Sequence, residues 1–411
     1  MINIIDLFSG AGGLTEGFRT SDYNILGHVE KEPAASQTLM LREIYHYLKS
    51  NDRSFLYRDF MNKRISKDEL FSKVPSSILE KTINLEINDE NLEIIFQYFD
   101  KFSGTVDGII GGPPCQAYST IGRARNARKK NSDERIYLYK YYIKFLERYS
   151  PKFFVFENVK GLLSFKDSDG ESLLSKMEAE FLKAGYSLEY RVLNTKDYGV
   201  PQSRERLIIF GVQEKYKKIT SSFFELLEKS TEPEVTIQRA LSDLPFLNAG
   251  EEKNFYVSNG NDYIKKYFKQ DADIPLTQNI ARKNNKNDLK IYSIVAAAKK
   301  EGKNIRYDEL DKKLQTHSHT DKFLDRFKAL SWESPSHTIV AHIAKDGHHY
   351  IHPDINQNRS ITVREAARLQ GFPDSYYFLD SRTSAFIQIG NAVPPIFSQK
   401  LAETIMKLGK F

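Results

Sequence analysis

Cysteine is almost missing from this chain. Among 411 residues there is one, Cys115. That excludes a disulfide framework and any metal site built on clustered cysteines, and it points to a reducing, intracellular compartment. No run of ~18 apolar residues occurs, so no transmembrane helix is expected. Met1–Asp6 lacks the basic region of a signal peptide. There is no internal repeat and no low-complexity tract. Neither sign of charge dominates: 60 Lys and Arg against 54 Asp and Glu leave +6, which permits a nucleic-acid partner without demanding one. Apolar residues are plentiful. At 40% of the chain they suffice for a sizeable core, and ~150 residues per domain suggests two or three domains.

Charge is unevenly spread. Arg123, Arg125, Arg128, Lys129 and Lys130 stand together with no acidic neighbour, and eight basic residues between Arg282 and Arg306 face only Asp288 and Glu301. Such runs are ordinary solvated surface unless they flank a site that needs DNA. Short apolar runs at Ile2–Phe8, Ile25–Val29, Phe55–Tyr57, Val106–Ile110, Phe153–Phe156, Glu189–Leu193 and Leu207–Val212 read as strands of a sheet covered on both faces. Helical patterns lie between them, at Arg135–Tyr149 and Gly170–Ala184. This alternation predicts an α/β domain, a doubly wound, mostly parallel sheet, with ligands at the carboxyl ends of its strands. The polar stretch 61–102 reads as a helical insertion. From about Gln213 the texture changes, so a second, smaller domain is expected at 213–355, with the first comprising 1–212 and 356–411. Trp332 is expected in the core of the smaller one, and Ile396–Leu408 as a last helix.

Four motifs carry chemistry. Asp6-Leu7-Phe8-Ser9-Gly10-Ala11-Gly12-Gly13 follows the first strand, and its small residues let backbone N–H groups approach a ligand. Thr15 stands where a dinucleotide fingerprint needs its third glycine, which argues against a nicotinamide enzyme. Glu30 ends the second strand, where an acid can hold a ribose diol; a surface glutamate reads equally well. Asp59, after the third apolar run, could accept from an adenine amino group. Gly111-Gly112-Pro113-Pro114-Cys115-Gln116 is a rigid loop that offers the thiol as a nucleophile activated by nearby cations. In Glu157-Asn158-Val159, a carboxylate closes an apolar run and could donate a proton. In Gln202-Ser203-Arg204-Glu205-Arg206, two arginines at i and i+2 would share one face of an extended segment and supply positive charge to a thiolate or a phosphate. An ordinary ion-paired surface strand is the alternative.

In this order the motifs resemble those of the DNA (cytosine-5) methyltransferases of bacterial restriction–modification systems. So do Asp197-Tyr198-Gly199-Val200-Pro201-Gln202, the block Arg359–Asp374 and Gly390-Asn391-Ala392-Val393-Pro394-Pro395. The resemblance implies a class I S-adenosylmethionine-dependent fold with a target recognition domain at 213–355. It implies methyl transfer from S-adenosylmethionine to carbon 5 of a cytosine flipped out of double-stranded DNA, leaving S-adenosylhomocysteine and needing no metal. Cys115 would attack carbon 6, Glu157 would protonate or hydrogen-bond ring nitrogen 3, and Arg206 with Arg204 would steady the thiolate and the base or its phosphate. The cofactor would meet Phe8, Ser9, Gly10, Ala11, Gly12, Gly13, Glu30, Lys31, Asp59, Gly112, Pro114, Asn391 and Val393. Lys31 stands where an aromatic residue often covers the adenine, so Phe60 or Leu138 is expected to pack it instead. DNA contacts would fall to Gln116, Ser119, Arg123, Arg125, Arg128, Lys129, Lys130 and Gln202, with Arg282–Arg306 a weaker candidate.

Two rivals remain. A tRNA methyltransferase of the same family would carry a Cys-Phe-Thr element, yet no cysteine follows Cys115. A non-catalytic DNA-binding relative would have lost Cys115 or Glu157. Seven of the nine histidines lie between His317 and His352; they are read as polar DNA contacts or surface, not as metal ligands. With the cofactor loop at Asp6, the expectation is a bacterial or phage modification enzyme, monomeric and cytoplasmic, linked to a restriction endonuclease genetically rather than physically. Neutralising the 123–130 run should flatten the salt dependence of DNA binding; an unchanged slope on a log–log plot of affinity against salt would sink that role.

Overall fold

Runs of Ile, Val and Phe build the sheet. The computed structural model describes residues 1–102, 104–114, 118, 134–271, 273–316 and 323–411. Its strands are β1 (Ile2–Leu7), β2 (Tyr23–Val29), β3 (Thr82–Ile83), β4 (Gly108–Gly111), β5 (Phe153–Asn158), β6 (Tyr186–Asn194), β7 (Gln202–Ser203), β8 (Glu205–Gln213) and β9 (Ser336–His337). Seven form one sheet in the order β3-β2-β1-β4-β5-β8-β6, and β7 pairs with β9. Within the seven-stranded sheet only β8 runs antiparallel, against both β5 and β6. Alternate residues go to opposite faces, as the pleat requires. Ile4, Ile110, Val155 and Phe210 join one core with the helices Ile219–Glu228 and Pro395–Lys407. Ile5, Ile109, Phe154 and Ile209 join the other with Leu92–Phe99, Leu138–Tyr149 and Leu173–Lys183. Six of the seven expected strands are present.

The seventh is not. Phe55–Tyr57 lies within the helix Ser54–Met61, which buries Tyr57 and Met61 four residues apart. Three apolar residues in a row do not separate a strand from a turn of helix. The third strand is instead Thr82–Ile83, inside the stretch expected to be a helical insertion, as is the sheet-covering helix Leu92–Phe99. The helix Ile219–Glu228, expected in the second domain, packs on β6, β8 and Pro395–Lys407. A separate small core gathers Ile291, Tyr292, Val295, Tyr307, Phe327 and Ile351. Trp332 is only partly buried and packs against the larger core rather than this one.

The segment 237–282 is joined to the sheet domain through buried arginines. Thr362 caps the helix Val363–Leu369 in a capping box with Glu365. Arg359 Nη2 pairs with Glu365 Oε1 at 2.7 Å. Arg364 Nε donates to the Thr277 carbonyl at 3.1 Å, and its Nη2 to the Tyr376 carbonyl at 2.8 Å. Arg368 holds Asp374 (Nη2–Oδ2 2.6 Å) and Asp243. All three arginines are fully buried. Burial alone would raise the Asp374 carboxyl, but Arg368, with help from Arg364 and the Tyr256 hydroxyl, outweighs it and leaves the group below its ordinary range. Removing one partner strands the others in a medium that cannot solvate them. Arg368→Ala should therefore destabilise the protein by ~3–5 kcal/mol, read as a lowered urea midpoint.

Candidate active site

The register of the sheet lines up the motifs. Leu7 lies beside Val29 on β2 and Gly111 on β4, and Gly111 lies beside Phe156 on β5. The next residue along each strand is Phe8, Glu30, Gly112 or Glu157. Four segments far apart in sequence thus end in one row at the carboxyl edge, where an open α/β sheet binds its ligands.

The loop after β1 is tightly built. Phe8 has φ 56°, a left-handed conformation rare for a bulky residue and characteristic of functional loops. Ser9 N–H donates to the Val29 carbonyl at 3.0 Å. Glu30 Oε2 accepts from Gly10 N–H and Oε1 from Glu32 N–H, both at 2.7 Å. Burial pushes the Glu30 carboxyl up, and these two donors oppose the shift. Beneath the loop the Thr15 hydroxyl donates to Asp6, and above it the Tyr376 hydroxyl donates to the Ala11 carbonyl. A Cβ on Gly13 would stand 2.2 Å from the Val393 carbonyl, so only glycine admits the 390–395 segment against this loop.

At the other end of the row, Arg206 Nε lies 2.7 Å from Glu157 Oε1, both side chains being 12% exposed. Because β8 is antiparallel, its first residues return to the edge where β5 ends. Glu157 is paired with Ile208, and Arg206, two residues before Ile208, falls on the same face. Gly112 fits against the glutamate: a Cβ there would meet Glu157 Oε2 at 2.8 Å. Asn158 Nδ2 donates to the Pro113 carbonyl at 3.3 Å, which anchors the loop leading through Pro114.

Arg204 does not share a face with Arg206. It stands in the break between β7 and β8, nearly fully buried, and donates to the carbonyls of Ile339 (2.7 Å) and Gly390 (3.0 Å). Gln202, expected on DNA, is fully buried; its amide donates to the Leu369 carbonyl and accepts from Ile339 N–H at 2.9 Å. Asp59 is not at a strand end but on the helix Ser54–Met61, paired with Arg64 at 3.0 Å. Phe60 packs on Tyr377 in the cluster around that helix. Lys31 pairs with Glu86 at 3.0 Å. Asn391 is exposed at the end of the helix Arg382–Asn391, and Leu138 begins the helix Leu138–Tyr149. Cys115, Gln116, Ser119, Arg123, Arg125, Arg128, Lys129, Lys130, His317 and His319 lie outside the described residues. Sequence reasoning missed Asn84, which follows β3 and donates to the carbonyls of Glu30 (2.7 Å) and Lys31 (2.9 Å). Its only signal was the dipeptide Thr82-Ile83.

Residues 64–407 match the family described as C-5 cytosine-specific DNA methylase. The chain belongs to this family. It is 38% identical to the type II methyltransferase M.Bpa9945I of Bacillus paralicheniformis, over 98% of each chain. It is 31% identical to the type II methyltransferase M.DdeI of Desulfomicrobium norvegicum, over 98% of this chain and 88% of that one. In fold it is similar to a solved structure assigned as a DNA modification methyltransferase encoded within an E. coli prophage, with a TM-score of 0.65 at 24% identity and full coverage of both chains. The chain is a DNA cytosine-5 methyltransferase of the restriction–modification type with a class I methyltransferase fold. Among the described residues, no helix of this methyltransferase is long and apolar enough to cross a membrane. Gly112→Ala should displace Glu157. A misplacement of about 1 Å costs ~10²-fold in rate, so kcat for methyl transfer should fall by that order while the melting temperature stays near wild type. A kcat within a factor of two of wild type would refute the fit.

Proposed function

We propose that the enzyme takes its methyl group from S-adenosylmethionine, flips the target cytosine out of the duplex and attacks it with Cys115. The observation that carries this reading is the Glu157–Arg206 pair lying against Gly112, at the head of the loop that leads to Cys115. The loop after β1 fits the cofactor. A Cβ on Gly10 would meet nothing within 4 Å, so the loop faces open space beside the buried Glu30. Glu30 would hold the ribose hydroxyls, Gly10, Gly12 and Gly13 would let the cofactor lie against backbone, and Val393 would close the far side. When bound, S-adenosylmethionine supplies a methyl group activated by its sulfonium.

The chain's own groups do the rest. The Cys115 thiolate forms a bond to carbon 6, and the electron pair moves toward carbon 5 and ring nitrogen 3. Glu157, oriented by Arg206, hydrogen-bonds or protonates nitrogen 3, so charge does not accumulate there and carbon 5 becomes the nucleophile. After methylation the carbon-5 proton leaves to solvent. The electrons of that C–H bond restore the 5,6 double bond and expel the thiolate. Arg204 supports this arrangement from below by tying Ile339 to Gly390. Double-stranded DNA is the substrate, the working unit is a monomer in the bacterial or phage-infected cytoplasm, and a restriction endonuclease is a genetic rather than a physical partner. The type II names of the two relatives support the modification role.

Bisulfite sequencing of a plasmid from a methylation-free host tests the core of this. The wild-type chain should protect one cytosine in a short recurring sequence, and Cys115→Ala should protect none. Protection that survives Cys115→Ala would remove the covalent step, and a folded wild type that protects nothing would remove DNA methylation by this chain alone.

A further inference from the structure

The junction of the recognition region with the helix Arg382–Asn391 holds a cavity of about 540 Å³. Four cations line it, Arg282, Lys283, Lys345 and Arg382, against two carboxylates, Asp288 and Asp346. Both carboxylates are engaged: Asp346 accepts from His348 N–H at 2.9 Å, and Asp288 accepts from the Asn285 amide at 2.7 Å. Three of the four cations are not. Among the described residues, Lys283, Lys345 and Arg382 make no ion pair, and all three are exposed. Arg282 is 7% exposed, stacks over Phe386 and donates through Nη2 to the Ile343 carbonyl, yet its Nε has no hydrogen-bond partner among the described residues. Burial and the nearby Arg382 both lower its proton affinity. A buried donor left unpaired is unfavourable, so a guanidinium kept dry beside three free cations fits a site completed by an anion.

We propose that this cavity seats backbone phosphate of the DNA substrate, clamped by Arg282, Lys283, Lys345 and Arg382. The proposal rests on DNA as the substrate. Position supports it. The helix carries Arg382 at its start, and at its end Gly390, whose carbonyl Arg204 holds beside the 390–395 segment packed on the cofactor loop. Ten residues at ~1.5 Å each span roughly 15 Å. At ~3.4 Å per nucleotide of one strand that is about four base-pair steps, a distance that reaches backbone flanking the reacting base rather than the base itself. Contacts to phosphate set register without reading sequence.

The test uses the full-length protein and the triple variant Lys283→Gln, Lys345→Gln, Arg382→Gln, whose exposed positions leave the core untouched. Binding of a mixed-sequence DNA duplex is titrated across a KCl series. Each phosphate contact contributes ~0.9 to the slope of log affinity against log salt, so the variant's slope should be shallower by about 1 to 2, equally for sequences with and without the protected site. A slope equal to wild type overturns the proposal while leaving the substrate reading intact. A wild type that binds no duplex overturns both. Calorimetry with inorganic phosphate separates the sources: wild-type binding that the variant loses, with no change in the DNA slope, would make the cavity a free-anion site and overturn the DNA assignment.

Discussion

The geometry of this enzyme depends on buried charge that has only one satisfactory set of partners. Arg359, Arg364 and Arg368 are fully buried. A guanidinium in such a place is tolerable only when its donors are met, and the geometry that meets them is narrow. Asp243 and Thr277 come from the segment 237–282 and Asp374 and Tyr376 from the segment that follows the helix Val363–Leu369. Their shared arginines therefore set how one part sits on the other. Tyr376 passes the constraint on, since its carbonyl is held by Arg364 and its hydroxyl by the Ala11 carbonyl. The loop that would receive the cofactor and the segment that would read DNA are thus two hydrogen-bonded residues apart.

Strand direction supplies the second constraint. Parallel strands deliver Phe8, Glu30, Gly112 and Glu157 to one edge. A cation beside Glu157 must then come from a strand entering at that edge, and the single antiparallel strand of the sheet provides it. Arg206 therefore pairs with Glu157, whereas Arg204 binds backbone from two distant segments. The same residue type two positions apart meets a carboxylate in one case and backbone carbonyls in the other.

Much of this was legible in the residues. The central strands are continuously apolar because both faces are covered, and such runs stand out against polar connections. Glycine and proline clusters at their ends marked Gly10–Gly13 and Gly111–Pro114, since a backbone that must approach closely leaves few choices of residue. Glu30 and Glu157 were readable as acids that end apolar runs. What misled was short range. Phe55–Tyr57 is apolar because a helix buries Tyr57, which drew Asp59 to a strand end when it lies on that helix, while β3 is too brief to announce Asn84. Gln202 looked like a polar contact for DNA because a glutamine whose amide is fully used inside the protein is indistinguishable in sequence from a free one.

By itself the sequence determined the fold class, the order of motifs and the identity of the chemical groups, because these follow from local composition and from which residues can stand at the end of a buried strand. The tertiary structure decided which arginine faces Glu157, which polar side chains are consumed by backbone carbonyls, and where four cations converge on one cavity. Those are matters of register and partner. Arg204 meets carbonyls 135 and 186 positions away, and no local pattern encodes whether such a partner will be there.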